Sequence, residues 1–300
     1  MRNEKVTAVD WLLGLVLGLI AFAMLYPVWW VIMTSLSDPV WLSSHTVTLI
    51  PEKFSLDAYR FILSESKLWT SYLNSVIYAA GATIVTLFVS GLYAYPLTLE
   101  SFRGKKLLNV LVLIPMFISG GMIPTYLQIA NLGLLNTRWV MILPGAISSY
   151  YVILFRTNFK AIPAELRESA IIDGASEFRV YWSIILPLSK VIFMIIALYC
   201  IVDSWNSFMA PLLYLSDEKL QPLSIYLRDL IVTGSQDTSE LTMAGGSGYY
   251  QMIATQGGGI GMRIAIKMGT IVVSVLPIMC VYPFIQKYFV KGVMLGSVKG

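Results

Sequence analysis

Six stretches of this chain are apolar for long enough to cross a bilayer, and that limits what it can fold into more than any other feature. About 20 residues of helix span the hydrocarbon core. The stretches lie near residues 11–34, 72–96, 107–129, 138–157, 184–204 and 267–289. Only 13% of the 300 residues are charged and 57% are hydrophobic, whereas a soluble domain carries about 25% charged residues. The bilayer is therefore the expected solvent, and the expected fold class is an all-α membrane protein with six transmembrane helices in a single domain over residues 1–300.

The first stretch has Arg2 and Lys5 in front of it and Ala21-Phe22-Ala23 inside it, which invites comparison with a cleaved leader. Its apolar run continues through Trp29 and Trp30 to Met33. That is too long for the core of a signal peptide, so an uncleaved anchor is expected. Loop charges set the orientation. With the N-terminus in the cytoplasm, twelve Lys and Arg residues fall on inner segments and seven on the longer outer loops. Basic residues concentrate on the cytoplasmic side of membrane proteins. Both termini and residues 158–183 are thus expected in the cytoplasm. Residues 35–71 and 205–266 form long outer segments, and the Gly/Ser/Thr-rich run from Thr233 to Gly261 reads as a flexible linker or a contact surface for an external partner. The third stretch carries Pro115, Gly120, Gly121 and Pro124. Irregular backbone at membrane depth survives only against protein or a wet cavity, so this span should face other helices or a pathway. A proline-kinked packing helix is the alternative.

Composition removes several classes of function. A net charge of +4 reflects basic residues flanking membrane spans, not a nucleic-acid surface. One histidine, His45, and two separate cysteines, Cys200 and Cys280, do not make a zinc site. No phosphate-binding Gly-x4-Gly-Lys-Ser/Thr loop is present, and Gly245-Gly246-Ser247-Gly248-Tyr249 fails the nucleophile-elbow pattern at its last position. The chain is not expected to be an enzyme or to hold a cofactor or metal.

The polar segment 158–183 carries the most structured pattern. Pro163 suits a first helical position and Glu165 the positive end of a helix. The helix should run through Glu168, Ser169 and Ala170 towards Asp173. Gly174 suits the left-handed position that ends it. Ser176 can cap a second helix from Glu177 to Trp182, and Leu186-Pro187 is expected to open the next span. On spacing, Leu166, Ala170 and Asp173 share a face. Helix, tight turn, helix is the geometry of a docking element. An amphipathic helix lying on the inner membrane surface is the competing reading.

The spacing Glu168-x-Ala170-x3-Gly174-x9-Ile184-x-Leu186-Pro187 resembles the EAA loop of permease subunits in ATP-binding-cassette importers, with Ser169 in place of the motif's first alanine. Gly133-Leu134-Leu135-Asn136-Thr137, Asp203-Ser204-Trp205-Asn206 and Gln286-Lys287-Tyr288-Phe289-Val290-Lys291-Gly292 extend the resemblance over nearly the whole chain, towards carbohydrate permeases associated with oligosaccharides from complex polysaccharides.

The resemblance implies a type I ABC importer permease fold in a bacterial cell membrane. It implies a second homologous permease, two ATP-binding subunits that hold ATP and magnesium, an extracytoplasmic solute-binding protein and a sugar or oligosaccharide substrate. It assigns ATPase coupling to Glu168, Ser169, Ala170, Asp173, Gly174, Leu186 and Pro187. Trp205 and Asn206 are candidates for the substrate path, with interfacial anchoring by Trp205 and helix-end capping by Asn206 as the plainer roles. The tail from Lys291 to Gly300 either reaches the ATPase or is a frayed end. A stand-alone secondary carrier is the main alternative, but such carriers place ionisable groups near mid-membrane. Here Lys190, Asp203 and Lys267 all lie near span ends. A membrane scaffold without a pathway is the third possibility.

Overall fold

The computed structural model describes the backbone of residues 8–47, 49–51, 53–233 and 259–297, with side chains of the last segment as far as Cys280. Along the chain the helices are α1 (Ala8–Ser35), α2 (Pro39–Leu42), α3 (Asp57–Ser64), α4 (Ser66–Ala94), α5 (Lys105–Phe117), α6 (Met122–Asn131) and α7 (Ser149–Lys160). They continue as α8 (Ala164–Ile172), α9 (Glu177–Val180), α10 (Leu186–Leu188), α11 (Lys190–Asn206), α12 (Met209–Tyr214), α13 (Leu223–Thr233) and α14 (Gly259–Ser297). Among the described residues the only β-type pairing is an isolated bridge between Ser37 and Phe54. The chain divides into two compact units, residues 1–68 with 227–276 and residues 69–226 with 277–300.

In the first unit, every side chain of α1 from Val9 to Trp29 is exposed. A helix that is apolar all round and left uncovered by the described residues is built for a lipid solvent. Its end is tied down: the indole nitrogens of Trp29 and Trp30 donate to the carbonyls of Leu49 and Val47 at 2.7 and 2.9 Å. Asp38 caps α2, accepting from the Trp41 amide at 2.9 Å, with Pro39 in the first turn where a missing amide costs nothing. The start of α14 passes so close to α2 that a β-carbon on Gly261 would fall 1.8 Å from the Pro39 carbonyl oxygen. Only glycine allows that crossing.

The second unit is organised on α4, whose polar residues serve as donors and acceptors for irregular backbone. Asn74 donates to the carbonyls of Lys219 and Gln221, and Tyr78 to that of Leu220. The Ser75 hydroxyl accepts from the Leu223 amide. Thr86 and Ser90 donate to the carbonyls of Gly145 and Ala146. Buried backbone groups need partners, and here side chains of a regular helix supply them to non-helical segments. One apolar core lies beneath, built from Ala94, Tyr95, Leu97, Val152, Phe155, Phe159, Val180, Tyr181 and Ile185.

Helix bounds depart from the expected stretches in physically accountable ways. Three helical segments, Val9–Ser35, Ser66–Thr98 and Gly259–Cys280, are long and apolar enough to cross singly. The 107–129 stretch is two helices, α5 and α6, parted at residues 118–121, where Gly121 takes φ +81°. The 138–157 stretch is a short 3-10 turn, Arg138–Met141, then Pro144 and Gly145 in irregular backbone, then α7.

The 184–204 stretch is broken near its start. Pro187 has no amide, and its ring would strike the carbonyl four residues back. The chain widens into a π turn over Tyr181–Ile185 and then bends by 79° between α10 and α11. Leu186 and Pro187 therefore lie ahead of the bend, on the side of the polar segment, and do not open α11. The Gly/Ser/Thr-rich run expected as a linker lies almost wholly outside the described residues, as do the last three residues of the tail. α14 itself continues to Ser297.

Candidate functional site

Within 158–183 the expected helix, tight turn and second helix are present, but the second helix stops at Val180, short of the expected Trp182. Pro163 stands just before the first helix, and Ala170 is half-buried while Leu166 and Asp173 are exposed. α8 starts after Pro163, with Glu165 in its first turn. It ends with Asp173 as the capping residue and Gly174 at φ +82°. The Gly174 amide donates to the Ile171 carbonyl at 3.0 Å, and the Ala175 amide to the Ala170 carbonyl at 2.9 Å. That pair of bonds is the Schellman arrangement, which requires a left-handed residue where Gly174 stands. Two residues on, Ser176 accepts from the Arg179 amide at 3.4 Å and starts α9.

The expected coupling residues divide by direction. Glu168, Ser169, Asp173 and Gly174 are exposed. Ala170 is half-buried and packs against the apolar core, so its small side chain lets α8 approach its own unit. Leu186 is half-buried against the same core and Pro187 is exposed.

Two features escaped the sequence reading. The first is an ion pair: Arg167 on α8 grips Glu177 on α9 side-on, Nη2 donating to Oε1 and Nε to Oε2, the latter at 3.2 Å. Tyr95, at the end of α4, donates its hydroxyl to the same carboxylate at 2.6 Å. The guanidinium holds the Glu177 carboxyl below the usual carboxylate range, against the opposing effect of burial. Three residues distant in sequence thus bind α8, α9 and the end of α4 into one body. The second feature is apolar. Ile172 is 85% exposed and Phe178 65% exposed, on either side of the turn. Both turn apolar surface outward from a polar segment. Exposed position is a tertiary property, which is why neither residue stood out in sequence. Beside α8 a cleft of about 910 Å³ opens, walled by Leu99, Glu100 and Lys105 on one side and Lys160, Arg167 and Ile171 on the other.

Of the two residues considered for a substrate path, Trp205 is half-buried, its ring edge-on to Tyr72 with centroids 5.7 Å apart. Asn206 is exposed at the end of α11 and lines a groove of about 580 Å³. A second cavity of about 360 Å³ shares Tyr151 and Asp203 with it, and Trp205 lines neither.

Comparison with known proteins bears on what this arrangement serves. A family model described as "Binding-protein-dependent transport system inner membrane component" matches residues 84–295. Protein LplC of Bacillus subtilis (strain 168) is 39% identical over 286 residues, covering 95% of this chain and 93% of that one. The polygalacturonan/rhamnogalacturonan transport system permease protein YtcP of the same organism is 40% identical over 252 residues, covering 84% of each chain. Among solved structures, a chain from the crystal structure of a bacterial ABC transporter involved in the import of the acidic polysaccharide alginate superposes with a TM-score of 0.85 at 27% identity, over 96% of this chain and 99% of that one.

Proposed function

Because this chain belongs to the family of binding-protein-dependent transport system inner membrane components, we propose that its 158–183 segment is the surface through which ATP hydrolysis elsewhere drives it. The chain is the permease subunit of an ATP-binding-cassette importer for a sugar or oligosaccharide. It is a transport component and not itself a hydrolase. In the proposed assembly it pairs with a second, homologous permease. Two ATPase subunits, which bind ATP and magnesium, sit on its cytoplasmic side, and a solute-binding protein delivers substrate from outside. Six membrane passages, with both termini in the cytoplasm, complete this reading.

The observation that carries it is the exposed ridge of Glu168, Ser169, Ile172, Asp173 and Phe178 around the Gly174 turn. Carboxylates and an apolar knob on a rigid turn give a partner both charge and shape to hold. Ala170 and Leu186 support the ridge from beneath, and Pro187 sets the bend that separates it from α11. When the ATPase dimer closes on ATP, the ridge moves with it and shifts the spans from inward- to outward-facing, a rigid-body transition. ATP must then bind one arrangement better than the other.

The test is Gly174→Val. A β-branched residue is strained at φ +82°. The variant should insert normally but recover no ATPase subunit on affinity purification and support no uptake. Normal uptake with normal ATPase recovery would refute the docking assignment.

A further inference from the structure

The groove and the cavity that meet at Asp203 set polar and aromatic side chains beside apolar ones such as Val202, Ile129 and Val140. Ser148, Tyr150, Tyr151 and Tyr199 bring hydroxyls and aromatic faces to the groove, Asn206 an amide and Asp203 a carboxylate. The adjoining cavity adds further hydroxyls from Thr86, Ser204 and Tyr214. Among the described residues that line both, Asp203 is the only charged side chain, and none is lysine or arginine. Tyr150 and Tyr199 expose 53% and 41% of their surface, so their rings are available to a ligand.

From this composition we infer that the groove is a subsite for an uncharged saccharide unit and that Asp203 excludes uronic acids from it. The inference rests on the permease reading above and specifies the class of sugar. Tyrosine faces stack on the C–H face of a sugar ring. Hydroxyls and the amide donate to and accept from its hydroxyl groups. A carboxylate accepts from two sugar hydroxyls at once through its two oxygens. A uronate unit would place a second carboxylate beside Asp203 with no cation among the described lining residues to compensate, and like charges at short range repel. Discrimination by a repulsive group is a common route to specificity.

A second feature predicts what removing Asp203 would do. Ser148 is the N-cap of α7 and makes no capping bond through its side chain. The positive end of a 12-residue helix therefore opens at the groove, and it favours anions. With Asp203 in place, that field is opposed. In Asp203→Asn it is left as the main electrostatic feature of the wall.

The test uses the purified importer with its partner subunits and without the binding protein, so that only the membrane site selects. It is incubated with an enzymatic plant cell-wall digest containing size-matched neutral and galacturonate oligosaccharides, and the retained species are identified by mass spectrometry. Wild type should retain neutral species. Asp203→Asn should raise the uronate-to-neutral ratio by at least about tenfold, the order expected for lifting one like-charge contact at a partly solvated site. Retention of uronates by wild type, or an unchanged ratio in the variant, would overturn the inference. Uptake of the same digest by intact cells is followed in parallel. Cells that import while the purified complex retains nothing would overturn the groove and leave the permease standing. Cells that import nothing, with the assembled complex present, would overturn the permease reading itself.

Discussion

Glu177 joins three elements through one carboxylate, and its contribution can be weighed. Its side chain and that of Arg167 keep 39% and 27% of their surface exposed. Solvent screening therefore limits the pair to about 1 kcal/mol or less. Its value lies in geometry: Arg167 and Tyr95 approach Glu177 from different elements and fix the angle of α8 to α9 and α4. Glu177→Gln keeps the size and one acceptor oxygen but loses the bidentate partner. The variant should express and assemble while ATP hydrolysis runs with less transport per ATP. Equal wild-type and variant ratios of uptake to hydrolysis in proteoliposomes would sink this positioning role. The pH dependence follows from the lowered Glu177 pKa. A carboxyl held lower in the folded state stabilises it above the unfolded value, and that contribution is lost as pH falls through the folded value. The ion pair should thus be indifferent to pH from about 5 upward and fail only in stronger acid. Loss of protection of α8 amides from hydrogen exchange on moving from neutral pH to about 5 would contradict it.

At the scale of elements, α4 is more than an apolar span. Asn74 is 1% exposed and satisfies two carbonyls from the 219–221 turn. Removing its amide leaves those carbonyls without that donor, and an unmade buried hydrogen bond costs about 1–3 kcal/mol. Asn74→Ala should lower the thermal midpoint of the detergent-solubilised protein by several degrees, while Asn74→Leu, which is close in size but cannot donate, should do the same. A wild-type midpoint in both would show that the 219–221 turn does not depend on this residue. The same elements show where sequence ran out. The α8 turn was legible because its rules are local: a proline start, a glycine at the left-handed position and a serine cap all act within a few residues. The breaks at 118–121 and 142–148 were legible only as a warning in the first case, from Pro115 and Gly121, and not at all in the second. There the compensating donors, Thr86 and Ser90, are 59 and 56 residues away. Pro187 was visible, but its effect was not: the π turn and the 79° bend arise from what the chain does around a missing amide. Tyr95, Arg167 and Glu177 likewise meet only after folding.

On the scale of the whole molecule, the decisive question is which side of the membrane the α8 ridge faces, since ATP is on one side only. The charge distribution of the sequence predicts 158–183 with the basic, cytoplasmic loops and 35–71 outside. Both segments offer a serine for labelling: Ser169 on α8 is exposed and Ser55 in the 35–71 segment is half-buried. Native thiols must first be removed from consideration. Cys200 is buried and Cys280 exposed, so Cys280→Ser gives a background with little reactive thiol. In that background Ser169→Cys should resist a membrane-impermeant maleimide in intact cells and react in inside-out vesicles, and Ser55→Cys should show the reverse. Labelling of Ser169→Cys from outside would place the ridge where no ATPase can reach it. The docking assignment would then fail, whatever the sugar groove binds. The predicted pattern would do more than orient the chain. The ridge would lie on the ATPase side and the 35–71 segment on the side from which a binding protein delivers substrate, and an importer needs both.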